Sequence, residues 1–358
     1  MKILQLIQAK QYRGAEIFCC QLSNHLLELG HEVIIVSIYE GCAILPFRDP
    51  VMSLNRPKGN RYFDLKGWRK LAKIIDDFNP DLIQANAADT LKYAVFSKFT
   101  FRWRVPIVYR NASASSFYIK NNLSRRFNAM LLKNVDSIIS VSEASREDLN
   151  FLFPFTKSKS CVIPVGIEKK EMALKDLFNK KKFNIIHAGS FTREKNHFGL
   201  INIFKRVVNN NPNFILHLIG DGDLRKEIVA KIEQENLKNS IILHGGVKDP
   251  LNYIKAADLL VLPSIIEGLP GVILEAMYSK TPVIAYNVGG VSEIVTEKTG
   301  DLIEKGNEND FSEAIRKCIL KPNQEQIENA YKMVMEHYTN YELAKKFLKK
   351  YENIVSES

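Results

Sequence analysis

The 358-residue chain is poor in cysteine, with 5 in all. Cys19, Cys20, Cys42, Cys161 and Cys318 are odd in number, scattered and without C-x-x-C spacing. That argues against a disulfide framework or a thiolate zinc site and points to a reducing cytoplasm. No run of about eighteen apolar residues occurs, which rules out a membrane-spanning helix. The opening MKILQLIQAKQYRGAE has too short an apolar stretch, and no small-residue cleavage site, for a secretory signal; it reads as a first strand and turn. The chain also lacks a G-x-G-x-x-G fingerprint, a short-period repeat and any low-complexity tract.

What is present suits a globular protein of two ordinary domains, with 46% hydrophobic and 25% charged residues. Acidic residues are scarce in one half only. Residues 1–170 hold 25 Lys and Arg against 15 Asp and Glu, while residues 171–358 hold 25 of each, so the first half carries the whole net charge of +10. Such a half is either a solvated basic face or a surface for something anionic: nucleic acid, a phosphate-bearing substrate or an acidic membrane.

Hydrophobic patterning alternates strands with helices. The first half reads as strand 2–8, helix 15–29, strand 32–38, helix 65–78, strand 81–85, helix 88–101, strand 106–110, helix 122–134, strand 136–141, helix 143–152 and strand 160–163. Phe18, Leu22, His25, Leu26 and Leu29 share one helical face, and Gly30 reads as its C′ stop. In the second half FNIIHAG, NFILHLIG, SIILHGG, DLLVLPS and TPVIAYN read as strands. Helices are expected near 197–209, 223–236, 249–256, 270–279 and 290–297, with two or three more to the end. The charged, poorly periodic segment 166–182 reads as a linker. This pattern predicts an α/β protein of two doubly wound, Rossmann-like domains with parallel sheets, 1–168 and 169–338. A C-terminal helix, 339–358, is open to packing back on the first domain. Ligands of such sheets bind outside the carboxyl ends of the strands, so the two sets of strand-to-helix turns should face a common cleft.

Those turns hold the candidate chemistry. Gly14, after the first strand, either forms a turn or lets a phosphate approach the helix start. Arg193 and Lys195, in the turn Gly189-Ser190-Phe191-Thr192-Arg193-Glu194-Lys195-Asn196, are either solvated cations or a diphosphate grip. Asp221-Gly222-Asp223 imitates a metal motif, but Asp223 reads better as the N-cap of the next helix. The segment Leu262 to Ala276 places Glu267 in a loop, Pro270 at a helix start as N1, and Glu275 on the helix. The amides of Gly271 and Val272 are free to hold an anion. The two glutamates either grip sugar hydroxyls or serve as a capping box and solvated acids.

From Pro263 to Ile284 and on through Gly289-Gly290-Val291-Ser292-Glu293-Ile294-Val295, the chain resembles the family 4 glycosyltransferases, retaining nucleotide-sugar enzymes of GT-B fold. The spacing of Glu267 and Glu275 is that family's signature. Supporting matches are Gly14-Ala15-Glu16, Gly30-His31-Glu32-Val33, Val141-Ser142-Glu143, Gly220-Asp221-Gly222 and Ala257-Asp258. The resemblance implies that Glu267, with Gly268 and Leu269, holds the donor sugar and that Glu275 holds the ribose hydroxyls. It implies that Lys195 binds the diphosphate, that Gly271 and Val272 give amides to the sugar phosphates, and that the loop at Val247 touches the base. It also implies a nucleotide-sugar donor, with UDP favoured, and no divalent metal, since fixed cations and amides do the electrostatic work.

There are departures. Ser190 stands where the family usually has arginine, and Arg193 is the candidate to supply the charge. Arg110-Asn111 stands where many members carry histidine; Asn111 can donate to a sugar hydroxyl but cannot act as a base, which fits a front-side retaining mechanism. Arg13 replaces one glycine of the first turn, and Lys280 replaces a helix-end glycine. The basic half holds Arg102, Trp103, Arg104, Arg125 and Arg126 among aromatic and amphipathic segments, which suits either an interfacial surface or half-buried core helices. The expected role is transfer to a glycan or lipid-linked acceptor in bacterial surface polysaccharide or glycolipid synthesis. The expected place is the cytoplasm, peripheral on the inner face of the membrane. A nucleotide-sugar epimerase or other GT-B enzyme is the alternative reading. A nucleic-acid-binding α/β protein is the remote one, and no nucleic-acid partner is expected.

Overall fold

The computed structural model describes residues 1–61, 63–171, 177–208 and 213–357. Part of the expected linker (172–176) and the last residue of the helix expected at 197–209 lie outside the described residues. The chain divides into two compact units, Met1–Glu168 with Asn340–Ser358, and Lys169–Thr339.

The first unit runs β1 (Lys2–Ala9), α1 (Gly14–Glu28), β2 (Glu32–Tyr39), β3 (Met52–Arg56), α2 (Leu65–Phe78), β4 (Leu82–Ala85) and α3 (Ala88–Phe101). It continues with β5 (Ile107–Asn111), α4 (Ser115–Tyr118), α5 (Asn122–Lys133), β6 (Ser137–Ser140), α6 (Glu143–Leu152) and β7 (Ser160–Val162). The strands form one parallel sheet in the order β3-β2-β1-β4-β5-β6-β7. Helices cover both faces, so a strand must be apolar on both sides. In β1, Leu4 and Leu6 enter one core and Ile3 enters the other.

The helix ends follow local chemistry. Asp64 caps α2 by accepting from the Gly67 amide at 3.0 Å. Helix α1 closes in a Schellman motif: Gly30, at φ 86, donates to Leu27 O and the His31 amide donates to Leu26 O. Arg13 is the N-cap of α1 in an extended conformation, φ −132, which explains why a glycine is dispensable there. Lys280 does occupy a left-handed position, φ 58, where a glycine would be unstrained.

The second unit runs β8 (Phe183–Ala188), α7 (His197–Val208), β9 (Phe214–Ile219), α8 (Arg225–Gln234), β10 (Ile241–Gly245), α9 (Pro250–Ala256) and β11 (Leu259–Leu262). Then come α10 (Gly271–Tyr278), β12 (Val283–Tyr286), β13 (Asp301–Ile303), α11 (Glu308–Leu320) and α12 (Gln324–His337). Its parallel sheet has the order β10-β9-β8-β11-β12-β13. The final helix, α13 (Asn340–Ser356), belongs to the first unit. There Leu343, Phe347 and Tyr351 are buried with Phe18, Leu22 and Leu26 of α1. Full burial of a side chain such as Leu343 or Phe347 contributes about 1.5–3 kcal/mol.

Several expectations need correction. The helix expected at 290–297 is a short 3-10 turn, Gly289–Glu293. Strands β3 and β13 have no counterpart in the sequence reading; they are short edge strands, and β3 (MSLNR) lacks a sustained apolar run. Pro270 is the N-cap of α10 and not its first residue, and α8 begins at Arg225 behind Leu224, so Asp223 does not cap it.

Candidate active site

The site of the second unit is a set of turns at the carboxyl ends of its strands. The turn after β8 is tied to the turn after β9, because Gly189 donates to Ile219 O at 2.9 Å and Phe191 donates to Asp221 O at 3.0 Å. Gly220, at φ +135, passes so close that a Cβ there would stand 2.0 Å from Gly189 O. The same turn is fastened to the one after β11 from two directions. Asn196, left-handed at φ 55, donates from Nδ2 to Pro263 O at 3.0 Å, and the Ile265 amide donates to Glu194 O at 2.8 Å. Gly290 then holds the far side of the glutamate loop by donating to Gly268 O at 2.8 Å.

This framework brings Lys195 to Glu267, with 2.6 Å between Nζ and Oε1. Glu267 is buried, at 9% exposed, and the Lys195 side chain is 23% exposed. The pair is thus partly desolvated but reachable. Gly189 leaves room for the lysine stem, since a Cβ there would lie 3.3 Å from its Cδ. Helix α10 starts three residues beyond Gly268, and its first amides, Gly271 and Val272, have no intrahelical partner. They add the positive end of a helix dipole to a site that already holds an ammonium. Glu275, half-buried on α10, has its carboxyl pushed from the usual 4.5 up to about 7 by burial.

The other candidates of this unit lie on turns at the carboxyl ends of its strands. Ser190 is half-buried within the turn after β8, and Arg193 is exposed beside Lys195 in the 3-10 turn Arg193–Lys195. Gly268 and Leu269 are buried in the loop before α10, and Val247 is half-buried in the loop between β10 and α9. Asp221 accepts from the Gly222 amide at 2.8 Å and lies 3.8 Å from Arg225. Among the described residues no group of three His, Cys, Asp or Glu side chains could hold a metal ion.

Sequence reasoning missed two features here. One is Asn196, whose left-handed backbone and side-chain hydrogen bond fasten two turns; an asparagine directly after a loop cation was the available signal. The other is the floor of the site. His187 Nδ1 lies 2.9 Å from Val261 O, and its ring meets His197 edge-on at 4.8 Å, with Phe191 a further 4.6 Å from His197. Burial pushes His187 down to about 4 and His197 to about 2, so both are neutral at physiological pH.

In the first unit, Gly14 is exposed at the start of α1 with no atom within 4 Å of where a Cβ would be. Asn111 ends β5, buried, with Nδ2 donating to Ser145 O at 3.0 Å and to Ser140 Oγ at 3.3 Å. Arg102 and Arg104 are exposed, but Trp103 turns inward, its Nε1 donating to Ser97 Oγ at 3.1 Å. On α5, Phe127, Met130 and Leu131 pack against the core, whereas Leu123 is 81% exposed. Arg125 donates to Leu152 O at 2.8 Å, and with Arg126, Asn122, Ala129 and Leu152–Phe155 it lines a hollow of about 500 Å³.

Comparison with known proteins now bears on this arrangement. The family described as Glycosyl transferases group 1 matches residues 168–333, and Glycosyltransferase Family 4 matches residues 12–171. An uncharacterized glycosyltransferase of Methanocaldococcus jannaschii is 30% identical over 273 residues, covering 75% of this chain and 74% of its own length. This chain belongs to the family 4 glycosyltransferases. A further relative is the N-acetylgalactosamine-N,N'-diacetylbacillosaminyl-diphospho-undecaprenol 4-alpha-N-acetylgalactosaminyltransferase of Campylobacter jejuni. It is 26% identical over 235 residues, 63% of this chain. The chain spans less than two thirds of that enzyme's length, 62%, and 59% of that of a second M. jannaschii glycosyltransferase. Among solved structures, Anabaena HepE in complex with UDP and glucose superposes with a TM-score of 0.85, covering 99% of this chain and 100% of its own at 20% identity. The fold is accordingly GT-B, built of two parallel-sheet α/β domains. No helix among the described residues is long and apolar enough to cross a membrane.

Proposed function

We propose that this glycosyltransferase moves a sugar from a UDP-sugar to a glycan or lipid-linked acceptor with retention of anomeric configuration, in the synthesis of a bacterial surface polysaccharide or glycolipid. The observation that carries the reading is the Lys195–Glu267 pair at 2.6 Å beside the start of α10. A diphosphate is the ligand that would satisfy both an ammonium and two unpaired helix amides. In this reading Lys195, with Gly271 and Val272, faces the phosphates, and Ser190 and Arg193 border them. Glu267 then exchanges its lysine partner for the sugar hydroxyls, with Gly268 and Leu269 beneath. Glu275 accepts from the ribose hydroxyls, and Val247 meets the base.

Charge grows on the leaving phosphate as the glycosidic bond breaks, so the fixed lysine and amides stabilise the transition state more than the ground state. No general base is needed if the departing phosphate takes the acceptor's proton, which suits an asparagine at position 111. Gly14 and Asn111 belong to the acceptor-binding unit in this reading. HepE was solved with UDP and glucose, and the Campylobacter relative is named for an undecaprenol-linked acceptor; both support the substrate classes.

The acceptor-binding unit is further proposed to rest on an anionic lipid surface, at the inner face of the membrane. Between Thr90 and Val135 the chain has 9 Lys and Arg and no Asp or Glu. Leu123 and Phe151 stand 81% and 82% exposed, and Lys133 lies over the Phe155 ring at 5.8 Å. Exposed apolar side chains within a cationic field are what an acidic leaflet holds.

The test is a donor screen with α-linked UDP-sugars and simple glycosides in excess EDTA, with products read by the anomeric proton coupling. Release of UDP with an α-linked product is expected. A β-linked product would overturn retention. Activity that appears only with Mn²⁺ or Mg²⁺ would overturn the metal-free mechanism and return attention to Asp221 and Asp223. Interconversion of the UDP-sugar without transfer would favour an epimerase.

A further inference from the structure

In the first sheet β1 lies between β2 and β4, and the chain order reverses there: β2 and β3 run out to one side, β4 and β5 to the other. Such a reversal, at the carboxyl ends of parallel strands, is where open α/β sheets leave a crevice for a ligand. One side-chain bond spans it. Gln8, next to last in β1, donates from Nε2 to Asp89 Oδ2 at 3.0 Å, and Asp89 stands in the first turn of α3, just past β4. All of these elements belong to the first unit.

Asp89 is 4% exposed and accepts from four side chains. Gln8 shares Oδ2 with the Tyr39 hydroxyl, which donates at 3.2 Å from the last residue of β2. Arg61 Nη2, at 3.2 Å, shares Oδ1 with Lys92 Nζ. The lone pairs of both oxygens are then taken, so Asp89 has nothing left to offer a sugar hydroxyl. Its effect is to hold two cations together. Burial pushes its carboxyl up, but the bonds and charges of Lys92 and Arg61 outweigh this and keep it below the usual range. One cation would neutralise the carboxylate, and a second on the same oxygen repels the first. The loop that carries Arg61 is closed at its base by a bidentate pair. Arg56, last in β3, donates to Asp64 at 2.7 Å from Nε and 2.9 Å from Nη2. Asp64 also accepts from the Tyr93 hydroxyl at 2.7 Å. Across the cluster three cations, Arg56, Arg61 and Lys92, meet two carboxylates, Asp64 and Asp89. Lys92 is buried, whereas the Arg61 side chain is 49% exposed, so solvent reaches the excess charge at Arg61.

We infer that Arg61 and Lys92, held together by Asp89, form a subsite for an anionic group of the sugar acceptor, a carboxylate or a phosphate. This rests on the reading of the first unit as the acceptor-binding one. An anion in front of Arg61 supplies the negative charge that the cluster is short of, and a guanidinium is shaped to grip carboxylate or phosphate oxygens. A neutral sugar supplies no such charge. The subsite shares its edge of the sheet with Gly14, beyond β1, and with Asn111, at the end of β5. An acceptor seated along that edge is thereby told from its uncharged analogue.

The experiment titrates the full-length protein with glucuronate, glucose 6-phosphate, glucose and inorganic phosphate, each with UDP in excess so that the donor site is occupied. Binding is read by calorimetry and by the ¹⁵N side-chain resonances of arginine, that of Arg61 being assigned by its loss in Arg61→Gln. Arg61→Gln, Arg61→Lys and Lys92→Gln are compared with Arg69→Gln, which removes the same charge from an exposed position on α2. Glucuronate or glucose 6-phosphate should bind about tenfold or more tighter than glucose and move the Arg61 resonance. Whichever of the two binds tighter tells a carboxylate acceptor from a phosphorylated one. Arg61→Gln should weaken that sugar about tenfold, the scale of a charge-assisted hydrogen bond, at an unchanged melting temperature. Arg61→Lys should recover part of the loss, since an ammonium keeps the charge without the fork. Lys92→Gln should weaken binding as well, and Arg69→Gln should not. Should Lys92→Gln melt early, Arg61→Gln alone decides. Equal binding of glucose and the anionic sugars would overturn the inference. So would an equal loss in Arg69→Gln, which would make the effect one of overall charge, or inorganic phosphate bound at Arg61 as tightly as either sugar. Arg61→Gln melting lower yet binding like wild type would make the cluster a structural tie. If the wild type releases UDP from no UDP-sugar, the proposed function fails by that readout alone, while the Arg61 resonance still decides whether the first unit binds an anionic sugar.

Discussion

Lys195 and Glu267, 72 positions apart in the chain, meet at 2.6 Å between Nζ and Oε1. The contact exists because β8 and β11 are neighbours in the sheet, so the turns that follow them lie side by side. An ammonium paired with a carboxylate keeps a half-buried site neutral until an anion competes for it.

Lys195→Ala should reduce sugar transfer more than Glu275→Ala does. The lysine meets charge that develops as the phosphate leaves, and loss of such a contact costs about 3–4 kcal/mol of barrier, or roughly a few hundredfold in kcat. A ribose contact is equally strong in ground and transition states, so Glu275→Ala should mainly raise KM. Steady-state kinetics check this, and an unchanged kcat in Lys195→Ala would contradict the assignment.

Glu275 should make nucleotide binding depend on pH near neutrality. Its carboxyl titrates near 7 in the fold against 4.5 ordinarily, so between these values the native state holds a proton that the unfolded chain has released. Stability must therefore fall as pH rises through that window, and Glu275→Gln should remove this part of the slope in denaturant titrations. The ionised form is the better acceptor for ribose hydroxyls, so UDP affinity measured by calorimetry should rise from pH 6 to pH 8 in wild type and stay flat in Glu275→Gln.

Gly289→Ala should damage the glutamate loop from outside it. Gly289 has φ +52, and a Cβ there would stand 2.0 Å from Glu267 O. The left-handed backbone alone costs about 1–2 kcal/mol, and the loop must also move to relieve the clash. Melting temperature and kcat should fall together. Gly14→Ala is the contrast, since nothing stands within 4 Å of its Cβ. It should leave stability within about 0.5 kcal/mol and act on substrate KM alone.

Vesicle binding should require both charge and the exposed apolar residues. Co-sedimentation with anionic vesicles is expected at low salt and should weaken at 1 M salt, where screening shortens to roughly 3 Å. Arg102→Gln, Arg104→Gln and Arg126→Gln together should remove about 3 kcal/mol of attraction, at about 1 kcal/mol each. Leu123→Ser with Phe151→Ser should weaken binding at every salt concentration. Equal pelleting with neutral and anionic vesicles would sink the membrane reading and leave the transferase reading untouched.

Much of the fold was legible because its helices are amphipathic and its buried strands are short apolar runs. Leu65–Phe78, Ala88–Phe101 and Glu143–Leu152 occur at the boundaries that periodicity and end signals imply. Edge strands were not legible: Met52–Arg56 buries Leu54 completely while its neighbours are partly or fully exposed, so it carries no long apolar signature. The segment 290–297 looked helical because Val291, Ile294 and Val295 recur at helical spacing. Their burial is real, but a 3-10 turn at Gly289–Glu293 achieves it, since Gly290 is drawn into a hydrogen bond with Gly268. At the site, the spacing of Glu267 and Glu275 could be read directly and the start of α10 to within one residue, whereas the anchoring role of Asn196 could not.

The sequence by itself determined what depends on near neighbours. These are the alternation of strands and helices, the Schellman stop at Gly30 and His31, the unpaired amides at Gly271 and Val272, and the confinement of excess positive charge to residues 1–170. Each is a matter of periodicity, backbone conformation or counting over a few turns of chain. Only the tertiary structure decided that Lys195 pairs with Glu267, that Asn196 fastens their turns, that Trp103 points inward while Leu123 points out, and that α13 returns to α1. Those relations follow from strand order and from which apolar faces bury each other. Many orders are compatible with one local pattern, and the choice among them is made by packing over the whole sheet.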